Sequence, residues 1–155
     1  MFAWTRPLTD RQYRAEHPIG LASLARTLHH IKGAEHAYAI RLRGVTDTPP
    51  TPAHENDPEP TTDNALPFPE LESSWRTQQD DVRALIDSIN DWHTPRVYTT
   101  VWEGKPYAYR ATNADLLAQL VLHEIHHRAQ VMHMLTRSDV QTGEIDYNAL
   151  MWEPQ

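Results

Sequence analysis

The chain contains no cysteine. That excludes thiolate catalysis, thiolate-bound zinc and iron–sulfur clusters, and it fits a reducing compartment. Any transition-metal site must therefore be built from imidazole and carboxylate groups. Cations are also scarce: 14 Lys and Arg stand against 21 Asp and Glu, a net charge of −7, and they form no basic block. Non-specific nucleic-acid binding draws on clustered Lys and Arg, so no nucleic-acid partner is expected. No stretch approaches the ~18 apolar residues of a membrane span. The opening Met1-Phe2-Ala3-Trp4-Thr5-Arg6-Pro7 has no apolar signal core. These absences predict a soluble cytoplasmic protein with no membrane partner. No internal repeat is present. A length of 155 residues suggests a single domain, 1–155, long enough to bury a core without disulfides.

Histidine, by contrast, is abundant, with ten residues. It is the commonest ligand for zinc, copper, nickel and non-haem iron. Several histidines fall in one run, Leu122-His123-Glu124-Ile125-His126-His127-Arg128-Ala129-Gln130. On a helix His123 and His127 lie one turn apart on the same face, where two imidazoles can grip one ion. The run also spells H-E-x-x-H, the signature of zinc peptidases.

Periodicity sets these residues in a mostly helical frame. A short helix is expected at about 10–16, opened by Thr9 or Asp10. A strong helix is expected over 19–44, with Leu24, Leu28, Ile31, Glu35, Tyr38 and Leu42 on one stripe and Gly44 as its stop. Residues 45–69 carry seven of the twelve prolines among acidic residues and read as a surface linker. A third helix is expected over 70–91, with Leu71, Trp75, Val82, Leu85 and Ile89 on one stripe. Residues 96–111 read as a small hairpin or a pair of extended strands. Thr112-Asn113-Ala114-Asp115 resembles a capping box and opens a last long helix, roughly 113–137. The tail, 138–155, is expected to pack back on the bundle.

Helix geometry sorts the histidines. With Leu116 at zero and about 100° per residue, Leu120, Val131 and Met134 fall within about 60° of it and mark the core face. His123 and His127 fall at about −20° and +20°, in the middle of that face. His126 and His133 fall near −80° and −100°, on its flank, and read as surface residues. Two histidines at the centre of an apolar stripe need a partner. The bland alternative is a buried pair hydrogen-bonded to Glu35 or Tyr38. A metal site needs a third ligand from another helix, where His29, His30 and His36 are candidates. Periodicity places His30 beside the core stripe and gives it a modest preference.

Two segments resemble a known family. Leu28-His29-His30-Ile31-Lys32-Gly33-Ala34-Glu35, followed by Arg41-Leu42-Arg43-Gly44, is similar to the first metal-ligand helix of the DinB-like (YfiT-like) proteins. The Leu122–Gln130 run is similar to that family's H-x-x-x-H-R-x-Q segment, and the ending from Asp146 through Glu153 is similar to family C-termini. The resemblance runs from about residue 18 to the end. It implies an all-α four-helix bundle, often a homodimer, with a divalent metal, zinc or nickel, held by His30, His123 and His127. It also implies a small-molecule substrate, because related members include thiol-dependent enzymes such as mycothiol-dependent isomerases and bacillithiol transferases. A low-molecular-weight thiol is then the expected co-substrate. The family usually has a long first helix. Here only about eighteen residues precede the His-Ile helix. The first helix is therefore expected to be short, or its place to be taken by the tail or a second subunit.

Three protein ligands leave a position open for water or substrate, as in catalytic zinc sites, whereas structural sites are normally closed by four. The leading expectation is a metal-dependent enzyme of the thiol S-transferase type. A second reading is a non-catalytic metal- or ligand-binding stress-response protein. A third is an H-E-x-x-H metallopeptidase or other metal-dependent hydrolase. Against the peptidase stands Gln130, where a metzincin has the Gly that turns the chain back toward its third histidine. With Gln130-Val131-Met132 the helix should continue and carry His133 away. The expected pocket lies near Glu35, Tyr38 and Glu124, with Tyr147–Trp152 as a lid.

Overall fold

Three long helices carry the apolar stripes. The structure, a computed structural model, describes residues 1–46, 64–102 and 105–143. Among these are five helices and one two-stranded sheet. In chain order they are α1 (Phe2–Thr5), α2 (Asp10–Arg14), α3 (Leu24–Leu42), α4 (Phe68–Ser88), β1 (Arg96–Trp102), β2 (Lys105–Ala111) and α5 (Asn113–Arg137). The protein is thus mostly helical, with the expected hairpin placed before the last long helix. The bulk of the Pro-rich segment, Glu103 and Gly104, and the tail from Glu144 onward, where a lid was expected at Tyr147–Trp152, lie outside the described residues.

The helix ends follow local chemistry. Thr9 opens α2 with a full capping box shared with Gln12. The α3 helix is shorter than the expected 19–44. Gly20 and Ala22 have φ of 52° and 67°, values no right-handed helix takes, so Ser23 becomes the cap and its Oγ accepts from Arg26 N at 3.2 Å. At the other end Gly44 (φ 87°) donates to Arg41 O and Val45 donates to Ile40 O, a Schellman closure. The α4 helix begins two residues earlier than expected and ends at Ser88, before residue 91. Pro69 sits in its first turn, where a missing N–H costs nothing. Ala65 and Phe68 are buried, so the end of the segment read as surface linker belongs to the core. Thr112 and Asp115 form the expected capping box on α5.

The core has two parts. The larger gathers Tyr13 from α2, Leu24, Leu28 and Ile31 from α3, Phe68, Leu71 and Trp75 from α4, and Val131, Met134 and Leu135 from α5. Phe2 of α1 stands edge-on to Trp75, with ring centres 5.1 Å apart. The helices before α3 are thus short, as expected, and both pack against this core. The smaller part sits under the hairpin, where Tyr98 is buried against Leu42, Ala111 and Leu116. Tyr98 and Tyr109 are register partners and stack at 5.6 Å. Among the described residues, no helix is long and apolar enough to cross a membrane.

Candidate metal centre

On α5 the buried Leu116 and Leu120 lie on one side, and the buried Val131 and Met134 on the other. His123 and His127 interrupt this stripe between them, half-buried. From the facing helix α3 comes His30, also half-buried. The three rings form a triangle, with centres 4.9 Å (His30–His123), 4.6 Å (His30–His127) and 4.5 Å (His123–His127) apart. The Nε2 atoms of His30 and His123 are 3.0 Å apart, and one nitrogen from each of the three lies within 4.8 Å of the others.

This arrangement fits a metal ion. Imidazole nitrogens each about 2.1 Å from a tetrahedral zinc stand about 3.4 Å from one another. The donor set is all imidazole, which suits zinc, copper, iron or nickel rather than magnesium or calcium. Among the described residues, His30, His123 and His127 are the group of at least three His, Cys, Asp or Glu side chains that can hold an ion.

The other candidates are placed elsewhere. His29 Nε2 accepts a hydrogen bond from Leu66 N at 3.0 Å, which ties α3 to the chain entering α4. Burial, followed by the nearby Lys32, lowers the pKa of His29. His36, His126 and His133 are exposed. The α5 helix runs unbroken through Gln130 to Arg137, so His133 never reaches the position of a metzincin's third ligand. Glu35 is buried and bonded to α4. Its Oε2 accepts from Trp75 Nε1 at 3.2 Å and its Oε1 from Gln78 Nε2 at 2.8 Å.

Glu124 is half-buried and ion-paired with Arg128 one turn along α5. Burial raises its carboxyl pKa, Arg128 opposes the rise, and the nearby Glu35 adds to it. Burial also raises Tyr38. A cavity of about 330 Å³ opens at the hairpin end, lined by Leu42, Leu85, Ile89, Arg96 and Asn113 among others, and none of the three histidines lines it.

Gln130 has a role beyond continuing the helix, and its spacing signals it. Gln130 stands three residues after His127 and four after His126, the spacing at which helix side chains meet. Its Oε1 lies 2.8 Å from His127 Nδ1, and its Nε2 lies 2.9 Å from His126 Nε2.

A helical protein with three inward imidazoles drawn from two facing helices is the class these features define. The chain matches the model of the DinB family over residues 1–155 and belongs to that family. The match begins before residue 18, so α1 and α2 fall within it. No curated protein matches the chain.

Proposed function

We propose that His30, His123 and His127 hold one divalent ion, zinc or nickel, in a four-helix-bundle arrangement, and that the protein is a cytoplasmic metal-dependent transferase joining a low-molecular-weight thiol to a small electrophile. The observation that carries the metal reading is the convergence of three imidazole nitrogens within 4.8 Å. Family membership supports it. A bound divalent ion lowers the pKa of a thiol or water at its open position. The absence of protein thiols keeps that position clear of a competing internal ligand.

The remaining chemistry falls to side chains. His30, His123 and His127 fix the place of attack. Glu124 Oε1, the oxygen that Arg128 does not engage, is the proton acceptor this reading assigns. Burial holds its pKa above the usual carboxylate value, which brings it closer to that of a working acid–base group. A homodimer completes the proposal. Its support is the outer face of α5, where Val121, Leu122 and Ile125 are all exposed.

The test begins with elemental analysis of purified protein. One divalent ion per chain is expected, lost in His123→Ala and His127→Ala and kept in His126→Ala. Full occupancy in His127→Ala would remove the assignment. A panel of low-molecular-weight thiols with a chromogenic electrophile, run beside ester and amide substrates, then tests the reaction. Turnover should vanish with chelator, return with metal, and fall about 100-fold or more in Glu124→Gln with the ion still bound. No turnover above the metal-free control moves the non-catalytic binder ahead. Cleavage of a peptide alone would favour the metallopeptidase.

A further inference from the structure

The Gln130 side chain sits between two histidines with opposite demands. Its amide oxygen can only accept a hydrogen bond, and its amide nitrogen can only donate one. At 2.8 Å from Oε1, His127 Nδ1 must therefore carry a proton and donate it. At 2.9 Å from the amide nitrogen, His126 Nε2 must accept. A neutral His127 protonated at Nδ1 has its lone pair on Nε2, which is then free to take a metal. Gly20 leaves the space that the Gln130 amide occupies. A Cβ built on Gly20 would fall 2.5 Å from Gln130 Cδ and closer still to its Oε1. The Gly20 backbone, at φ 52°, lies in the region glycine enters most readily.

We infer that Gln130 is the positioning residue of the histidine site, locking His127 in its Nδ1-protonated tautomer, and that Gly20 is glycine to leave room for it. This rests on the metal reading above. Partners that orient a ligand histidine through its second nitrogen commonly change metal affinity by about 10–100-fold when removed. The arrangement is a brace reaching from the loop before α3, across Gln130, to a ligand on α5.

Two readouts test it. Long-range proton–nitrogen NMR of the metal-free protein should show His127 protonated at Nδ1 in the wild type and shifted toward the Nε2-protonated form in Gln130→Leu. Zinc affinity, measured by competition with a chromophoric chelator, should fall about 10–100-fold in Gln130→Leu. Gln130→Glu keeps an acceptor oxygen and should stay within a few-fold of wild type. Gly20→Ala should lose affinity as Gln130→Leu does, and the double variant should lose no more than either alone. Should Gly20→Ala fail to fold, the two Gln130 variants decide alone. A wild-type His127 protonated at Nε2, or equal zinc affinity in Gln130→Leu, overturns the inference. A wild-type protein that binds neither zinc nor nickel overturns the metal reading, and with it any role for Gln130 there, whichever tautomer NMR finds.

Discussion

Glu72 shows what a single carboxylate does outside the histidine triangle. It lies on α4 between two guanidinium groups. Arg6 Nε donates to its Oε2 at 3.0 Å, and Arg76 Nη2 to its Oε1 at 2.7 Å. The hydrogen bond from Arg6 is the largest influence, and the group is brought down to about 2 from an ordinary 4.5. A carboxyl depressed on folding stabilises the native state above its unfolded pKa. That contribution fades as pH falls through the folded value. Glu72→Gln should therefore cost about 0.5–1 kcal/mol at pH 7, since the arginines are half-exposed. The deficit should shrink from about pH 4.5 downward and be gone near pH 2. Urea melts of both proteins across that range give the measurement. A deficit that stays constant to pH 2 would mean the carboxylate's charge is not what matters.

The α5 helix, at 25 residues, is the longest element and supplies two of the three histidines, so its start deserves a test. Thr112 Oγ1 accepts from Asp115 N at 3.1 Å, and Asp115 Oδ2 accepts from Thr112 N at 2.8 Å. Thr112→Ala removes half of this box and should cost about 1 kcal/mol, read as a lower thermal midpoint. No change would show that packing under the hairpin holds the first turn alone. The long helices were legible because their stripes repeat over several turns, and the hairpin because Val97–Trp102 and Tyr107–Tyr109 are rich in strand-favouring residues and flank Glu103-Gly104-Lys105. The pair His123 and His127 was legible from spacing alone. Short and distant relations were not. At four residues, α1 is too brief for any periodicity and stands only because Phe2 meets Trp75 and Phe68. The partnership of Arg6 with Glu72 spans 66 residues of sequence. The fit of Gly20 against Gln130 depends on a loop whose path no local rule predicts.

At the scale of the whole molecule, the outer face of α5 has the clearest consequence for assembly. Val121, Leu122 and Ile125 are 49%, 62% and 56% exposed, an apolar patch that a second copy would cover. Leu122→Glu should convert a dimer to a 17.9 kDa monomer in sedimentation while the helical signal persists. A wild-type monomer at high concentration would end the dimer proposal. The histidine triangle also has a bearing on time. His30 and His123 are 93 residues apart in sequence, yet their Nε2 atoms end 3.0 Å apart. Turns of helix form within about a microsecond, whereas contacts between distant segments wait on loop closure and the overall search. The triangle cannot exist until α3 and α5 have docked. Refolded in the presence of cobalt(II), the protein should gain far-UV ellipticity first and visible colour later, so that the ion clocks the moment the two halves of the chain meet.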